Sequence, residues 1–220
     1  WFHRQDLLYK DNFPWSYDMS ARCSLFKDEF INELNLEEYN YDAYKTSINQ
    51  CPLLDDENEK DVYRRKISWL NIRWFMMTLL NRMDRCSMYS GLEARVPFAD
   101  YRILEYIFNV PWEYKCHNNQ TKSLLVECGK THLPPEILYR KKSPYPKTYD
   151  PNYEKLLSDM LLEEYSDNSR LQDIIDYKKL TTFISSSKDY GKPWYGQLMA
   201  GPQMLAYILQ IGYWLKKYHL

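Results

Sequence analysis

The sequence predicts a mainly α-helical fold, a helical bundle with little or no sheet. Apolar residues recur at steps of three and four along residues 59–88, as they do on one face of a helix. The same spacing returns along residues 194–218, and no stretch longer than four residues alternates apolar with polar side chains. Because no boundary is convincing enough to divide the chain, we interpret residues 1–220 as a single helical domain.

The overall charge and the cysteines exclude several classes of protein. With 29 basic and 30 acidic residues the net charge is −1, so no global field attracts nucleic acid or a membrane surface. No apolar run is long enough to span a bilayer. The five cysteines are odd in number and never spaced Cys-x-x-Cys, which favours reduced thiols in a cytoplasmic protein over disulfides or zinc ligands. The four histidines lack the His-Glu-x-x-His spacing, so we expect no histidine-held metal.

In the first half of the chain, two modest helices are predicted at residues 17–34 and 37–49, and Pro52 closes the second. The acidic run 55–59 then begins the long helix at 59–88, because carboxylates favour the positive end of the helix dipole. We expect this helix to be central and mostly buried. The chain opens on Trp1 rather than on methionine, and we interpret it as a fragment of a longer protein.

Downstream of the long helix, single residues predict where each shorter helix begins or ends. Gly91 ends the long helix, and Asp100 caps the next one, which ends before Pro111. Thr121 is predicted to cap a short helix ending at Gly129, which places Lys122 in the first turn. A lysine there opposes the helix dipole, so either an anion sits beside it or it is an ordinary exposed lysine at small cost.

A basic loop divides the second half of the chain. Residues 134–139 form a turn of helix, and the loop 140–147 carries four cations and no acid. Such a loop is suited to folding over a polyphosphate, although an ordinary solvated surface loop has the same composition. Helices are predicted after it at 152–164, 168–175, 177–187 and roughly 194–218, the last of them interrupted at Gly201-Pro202.

Six charged residues lie between two apolar segments within residues 82–100, and we expect them in a semi-buried place where each needs a partner. This stretch resembles the R-x-D-R-x-S-M-x-x-x-x-E-x-R-x-P-F-x-D signature in the synthetase half of glutamine-hydrolysing asparagine synthetases. Further matches follow at Lys122 within Thr-Lys-Ser-Leu-Leu, at the Leu-Pro-Pro-Glu-Ile turn 133–137, and at Arg-Lys-Lys 140–142. Together they span about residues 60–147, in the family's order.

The resemblance implies a reaction. In such enzymes one domain hydrolyses glutamine to ammonia, and the synthetase domain uses ATP to activate the side-chain carboxylate of aspartate. Ammonia then displaces AMP from β-aspartyl-AMP to give asparagine. The expected partners are therefore the small molecules aspartate, ATP and ammonia from glutamine, with a homodimer as a further expectation and with no nucleic acid or membrane.

Site residues are carried over by motif position. Lys122 and Lys142 are expected on the phosphates as catalytic residues, with Arg140 as support, because lysine is a flexible point charge. Four residues of the signature are expected to face the substrate- or nucleotide-binding pocket, although a structural ion network is about as plausible for them: Arg82, Asp84, Glu93 and Arg95.

The family's glycine-rich phosphate loops are missing, because the six glycines here are isolated along the chain. The resemblance therefore implies the C-terminal helical part of an α/β adenine-nucleotide α-hydrolase-like synthetase domain, which is inactive alone. It would bind ATP and Mg²⁺ only together with the missing part, and no metal ligand is assigned to this chain. Val126 stands where many relatives have arginine. The alternatives are a related acyl-adenylating ligase, such as a β-lactam synthetase or peptide-modifying relative, and a non-catalytic helical interaction module.

Overall fold

The protein folds into two compact units, of which unit 1 comprises Trp1–Thr46 with Thr148–Leu220 and unit 2 comprises Ser47–Lys147. The prediction that residues 1–220 form a single helical domain stays a prediction. The structure is a computed structural model, and it describes residues 12–15, 20–141, 150–186, 189–194 and 197–220.

Unit 1 is built mainly from helices at the two ends of the chain. From its amino-terminal part come α1 (Ser20–Cys23), α2 (Asp28–Leu34) and most of α3 (Leu36–Asn49). From its carboxyl-terminal part come α10 (Pro151–Asp167), α11 (Ser169–Ile174), α12 (Tyr177–Ser185), strands β1 (Asp189–Trp194) and β2 (Gln197–Ala200), and α13 (Gly201–Tyr218).

The core of unit 1 lies where α10 and α13 pack together with α11 and α12. Its apolar residues recur at helical steps, for example Leu157 and Leu161 on α10, and Leu205 and Ile208 on α13. Full burial of one such side chain stabilises the fold by about 1.5–3 kcal/mol. The most deeply buried members are Leu25, Leu161, Leu171, Ile175, Leu180, Met204, Leu205 and Ile208.

A short backbone pairing joins the two chain segments of unit 1. Phe26 and Ile175 form an isolated antiparallel bridge, and the Lys27 N–H donates to the Ile174 carbonyl at 2.9 Å. Lys179 adds a bond from its amine to the Phe26 carbonyl, also at 2.9 Å. Residues that are about 150 positions apart in sequence are thus held side by side.

Unit 2 is a series of helices linked by short turns and begins at the end of α3. Its first elements are α4 (Glu59–Leu70), a π-helical segment (Asn71–Met76) and α5 (Met77–Tyr89). A 3₁₀ turn (Pro97–Ala99), α6 (Tyr101–Asn109), α7 (Trp112–Lys115), a second 3₁₀ turn (His117–Asn119), α8 (Ser123–Gly129) and α9 (Pro135–Leu138) follow.

The long helix predicted from residue 59 is confirmed, because α4, the π-helical segment and α5 run on without a break to Tyr89. Asn58 caps it with its side-chain oxygen on the Asp61 N–H at 3.1 Å. The expectation that this helix is mostly buried is wrong. Its buried residues all lie in α4. The helix α5 has no buried residue, and its apolar Met77, for example, is 47% exposed. Helical periodicity shows which face is apolar but not how much of that face finds a neighbour.

The mainly α-helical class is confirmed, and the helices of residues 151–185 lie within three residues of their predicted bounds. Two local predictions are wrong. The last helix, predicted over roughly 194–218 with an interruption at Gly201-Pro202, is present only from Gly201 onward, since Pro202 is tolerated in a first turn but not inside a helix; before it β1 pairs with β2. The helix expected at 17–34 is divided between α1 and α2, because Phe26 pairs with Ile175 there.

None of the helices within the described ranges is both long enough and apolar enough to cross a bilayer.

Candidate functional site

A glycine turn ends α5 in the middle of the signature. The Gly91 N–H donates to the Met88 carbonyl at 3.0 Å, and the Leu92 N–H donates to the Ser87 carbonyl at 2.9 Å. This is the Schellman arrangement, which needs a left-handed residue at its centre, and Gly91 supplies it with a φ of 72°. The predicted helix end at Gly91 is confirmed.

Five of the six charged residues of the signature are exposed, and for these five the expectation that they lie in a semi-buried place is wrong; Asp100 is half-buried. Arg82 and Asp84 lie on the exposed surface of α5. Glu93 and Arg95 follow the glycine turn with 67% and 80% of their side chains exposed. Because a charge in water needs no protein partner, the sequence rule that buried charges are paired does not apply here.

The structure brings together one pair among these four residues. Nε and Nη2 of Arg95 each lie 3.1 Å from a carboxylate oxygen of Glu93, so the pair is bidentate. Over the described ranges, no hydrogen bond or ion pair joins Arg82 or Asp84 to Glu93 or Arg95. An exposed ion pair contributes at most about 1 kcal/mol to stability. Its main effect is to hold the two side chains in one orientation.

Two arginines on α5 present positive charge to the solvent. Arg82 and Arg85 are three positions apart and therefore neighbours on the helix surface. No acidic group lies within 4.0 Å of either one among the residues that the structure describes. The two arginines therefore have no protein counter-charge among the described residues, and the pair is suited to an anionic ligand.

Asp100, the last residue of the signature, has a structural role. Its carboxylate accepts a hydrogen bond from the Arg102 backbone N–H at 2.9 Å and so caps α6, as the sequence predicts. The Arg102 guanidinium also donates to it at 2.6 and 2.9 Å. These hydrogen bonds lower the pKa of the Asp100 carboxyl. Asp100 fixes the direction in which α6 leaves the signature.

Lys122 is exposed and occupies the N-cap position of α8, with φ 59° and ψ 37°. The prediction that Thr121 is the cap and Lys122 lies in the first turn is wrong. The Ser123 hydroxyl accepts from the His117 N–H at 2.7 Å and donates to the Gln120 carbonyl at 2.6 Å, so α8 begins two residues after Thr121. The sequence offers both Thr121 and Ser123 as hydroxyl residues near this helix start, and the local turn from 117 to 123 uses Ser123.

The second predicted catalytic lysine, Lys142, lies outside the described residues. Arg140 is described, and it is exposed directly after the Tyr139 that ends α9. The convergence of Lys122 and Lys142 on one set of phosphates therefore stays a prediction, as does the support from Arg140.

A buried ionic network in unit 2 was missed by the sequence reasoning. Arg65, 8% exposed, binds the carboxylate of Glu57 and donates to the Phe108 carbonyl at 3.3 Å. Hydrogen bonding to Arg65 lowers the pKa of Glu57. Burial, followed by the charge of Arg65, lowers the pKa of Lys115, whose amine reaches the same carbonyl at 3.4 Å. The network joins the segment before α4 to α6 and α7, and its buried groups are paired with one another.

The described residues present several exposed cations. Within the described ranges no three histidine, cysteine, aspartate or glutamate side chains come together as a metal site would require. Exposed cations are present at Arg82, Arg85, Lys122 and Arg140.

Comparison with known proteins decides the family. The family model described as "Asparagine synthase" matches residues 2–216. The chain belongs to the asparagine synthase family. It is 43% identical over 222 aligned positions to "Asparagine synthetase [glutamine-hydrolyzing] 3" of Bacillus subtilis (strain 168), a match that covers 100% of this chain and 36% of that relative. The resemblance drawn from the signature is confirmed.

Other members of the asparagine synthase family match shorter parts of the chain. "Asparagine synthetase [glutamine-hydrolyzing] 1" of the same Bacillus strain is 27% identical over 54% of this chain and 19% of the relative. "Asparagine synthetase [glutamine-hydrolyzing]" of Gallus gallus is 36% identical over 29% of this chain and 12% of the relative. The chain thus spans about a third or less of the length of these asparagine synthetases.

Val126, where the resemblance predicts an arginine in many relatives, has a structural role in this chain. Val126 is 8% exposed on the inner side of α8, and its N–H donates to the Lys122 carbonyl at 3.0 Å. A valine there packs into unit 2 and carries no charge for a phosphate. Any phosphate-binding cation of α8 is therefore Lys122 rather than residue 126.

Proposed function

We propose that this chain is the helical C-terminal part of the synthetase domain of a glutamine-dependent, ATP-using asparagine synthetase. The observation that carries the proposal is the 43% identity along the whole chain to a glutamine-hydrolysing asparagine synthetase. The exposed cations Arg82, Arg85, Lys122 and Arg140 support it, because a polyanion, pyrophosphate, leaves in the first step of the proposed reaction.

In the proposed reaction an oxygen of the aspartate side-chain carboxylate attacks the α-phosphorus of ATP. The bond from that phosphorus to the bridging oxygen breaks, and pyrophosphate leaves with the electron pair. Ammonia then attacks the activated carbonyl carbon, AMP leaves, and asparagine forms after loss of a proton. Negative charge grows on pyrophosphate in the first step, so cations placed there stabilise the transition state more than the ground state.

The residues of this chain have different proposed roles. Lys122 and Lys142 neutralise the departing phosphates, and Arg140 supports them. Arg82, Asp84, Glu93 and Arg95 bind the adenylate and the acceptor, with Arg95 held in orientation by Glu93. Mg²⁺ would shield phosphate charge when bound, and its ligands are proposed in the part of the domain beyond this chain.

The setting of the enzyme is also part of the proposal. We place it in the cytoplasm, which agrees with five cysteines that form no disulfide. The large exposed apolar side chains of unit 2, such as Phe98 and Tyr106 at 70% and 65%, agree with a further protein surface covering them. A homodimer of the complete polypeptide is tested by light scattering after size-exclusion chromatography.

The experiment measures exchange of labelled pyrophosphate into ATP by the complete polypeptide that contains this chain. We expect aspartate-dependent exchange, and AMP release with asparagine formation when glutamine is added. Exchange that depends on another carboxylate would instead establish a related acyl-adenylating ligase, and no exchange with any carboxylate would favour a non-catalytic module.

Lys142 is tested by substitution in the same polypeptide. We expect Lys142→Ala to abolish exchange, whereas the matched variant Lys141→Ala, one position away in the same basic loop, retains most of it. Near-normal turnover in Lys142→Ala would refute the assignment of Lys142.

A further inference from the structure

The backbone around Lys122 is an uncommon one for a lysine. A φ of 59° and a ψ of 37° place Lys122 in the left-handed region, where Cβ crowds the following carbonyl oxygen. Asn118 and Asn119, in the same turn, are also left-handed, with φ of 48° and 60°. Asparagine tolerates this region because its short polar side chain bonds locally, but lysine has no such compensation. Surrounding contacts must therefore hold Lys122 in place.

Ser123 supplies those contacts. Its hydroxyl accepts the His117 N–H at 2.7 Å and donates to the Gln120 carbonyl at 2.6 Å, which closes the turn from 117 to 123. The Gln120 N–H in turn donates to the His117 carbonyl at 2.8 Å. On the other side, the Val126 N–H donates to the Lys122 carbonyl at 3.0 Å and starts α8. Lys122 is thus fixed from both sides.

Ser123 itself is buried, with 6% of its surface exposed, while Lys122 next to it is exposed. A serine hydroxyl has one proton to donate, and here that proton is used in the bond to Gln120. Ser123 is therefore placed to act on a ligand only through its neighbour.

We propose that Ser123 is the positioning residue for Lys122: its two hydrogen bonds hold the turn that keeps Lys122 in the left-handed conformation from which, in the proposed reaction, the amine meets the departing phosphates. The inference rests on the proposed function, because it assumes that Lys122 meets a polyphosphate. Ser123 is thus added to the proposed site as a residue that fixes the backbone conformation of the catalytic Lys122.

The test uses the complete polypeptide and the rate of aspartate-dependent pyrophosphate exchange. Ser123→Ala removes both hydrogen bonds, and we expect kcat to fall by about tenfold to a hundredfold, the range that small misplacements of a catalytic group produce. The KM for ATP should change little, because charge on pyrophosphate is stabilised chiefly in the transition state. Ser123→Thr keeps the hydroxyl, and we expect it to restore most of the lost rate.

A second variant separates positioning from plain stability. Lys122→Gly removes the amine and at the same time removes the backbone strain, so we expect a folded but slow enzyme. Adding Ser123→Ala to Lys122→Gly should lower the rate no further, because the amine that Ser123 directs is already gone. An equal loss from Ser123→Ala in both backgrounds would overturn the proposal, as would a wild-type kcat in Ser123→Ala.

Two further outcomes are kept distinct. If Ser123→Ala does not fold, Ser123→Cys keeps the size with a weaker donor, and a wild-type kcat in that folded variant counts against the proposal. If the unmodified polypeptide shows no aspartate-dependent exchange, the proposed function fails by itself. If the unmodified polypeptide is active and only the Ser123 variants lose rate, the result concerns the role of Ser123 and leaves the proposed function unchanged.

Discussion

Nε and Nη2 of Arg65 lie 2.6 to 2.8 Å from the carboxylate oxygens of Glu57, and the two side chains are only 6% and 15% exposed. Nη1 of Arg65 reaches the Asn109 side chain at 3.2 Å, and its guanidinium lies over the Phe108 ring at 4.8 Å. Each donor group of this buried cation therefore has a partner. Unit 2 depends on this pair where α4 meets α6.

Glu57→Gln is expected to lower the free energy of unfolding by about 2 kcal/mol, because it leaves the Arg65 charge buried without a counter-charge. The measurement is denaturant unfolding followed by tryptophan fluorescence. Glu59→Gln, at an exposed carboxylate in the first turn of α4, is the matched control and should change stability by less than about 0.5 kcal/mol.

The same pair predicts a pH dependence. Arg65 lowers the pKa of Glu57 below its ordinary value of 4.5, so the unfolded state binds the proton more readily than the folded state. The stabilisation is fully present above pH 4.5 and is lost as the pH falls through the lowered folded pKa. We expect Glu57→Gln to lose less stability than the wild-type protein over this acidic range. An identical acid profile in the two proteins would contradict the assignment.

Asn168→Ala is expected to destabilise unit 1 by about 2 kcal/mol, because three hydrogen bonds of a buried amide are lost. The Asn168 oxygen accepts the Leu171 N–H at 3.1 Å and caps α11, while its nitrogen donates to the Gly212 carbonyl at 3.0 Å and to Glu164 at 2.9 Å. Thermal unfolding measures the effect. The exposed Asn152→Ala serves as control, and equal shifts in the two variants would show that the network has no special role.

Gly212→Ala is expected to destabilise by about 1 kcal/mol, although the same change in an open helix stabilises by about that amount. An added Cβ would lie 3.0 Å from Glu164 Cγ and 3.1 Å from Leu171 Cδ2. Leu171 is fully buried and has little room to move. Glu164→Ala removes the close contact with Glu164 Cγ, so Gly212→Ala should destabilise the protein less in that background. Strict additivity of the two changes in the free energy of unfolding would count against this explanation.

Cys51 is expected to resist alkylation by iodoacetamide at about pH 8, whereas Cys86 and Cys128 react. Burial raises the pKa of Cys51 to about 11, and only a thiolate is an effective nucleophile. Cys86 and Cys128 are exposed. Mass spectrometry of proteolytic peptides gives the labelling rate of each cysteine. The same reaction in denaturant is the control and should label all of them, and equal labelling in the native protein would contradict the burial of Cys51.

Local features of the fold were accessible from the sequence. Gly91 ends α5 and Asp100 caps α6 because each acts on its own backbone within a few residues. Glu57 was assigned to the helix dipole, and only the fold shows that its partner is Arg65, eight positions away. The chemistry near Lys122 was placed by resemblance, but its backbone conformation depends on Ser123, which spacing rules do not reveal.

The remaining errors have tertiary causes. The sequence predicts that Phe26 lies within a helix, whereas in the structure it forms an isolated antiparallel bridge with Ile175. The apolar stripe of α5 is real in the sequence, yet none of its side chains is buried. Periodicity measures a tendency of one segment, whereas burial is a property of two surfaces that meet.

The bridge between Phe26 and Ile175 also has a consequence for synthesis on the ribosome. Leu25 lies in a core with Leu205 and Ile208, so the part of unit 1 around residue 25 cannot be completed until residues 205–208 have left the ribosome. Unit 2 is continuous in sequence and can begin to form while translation is still in progress. Closing so long a loop late makes unit 1 the slower of the two to assemble, and residues 12–15 and 20–46, which are the first of its described residues to be made, need protection from aggregation in the meantime.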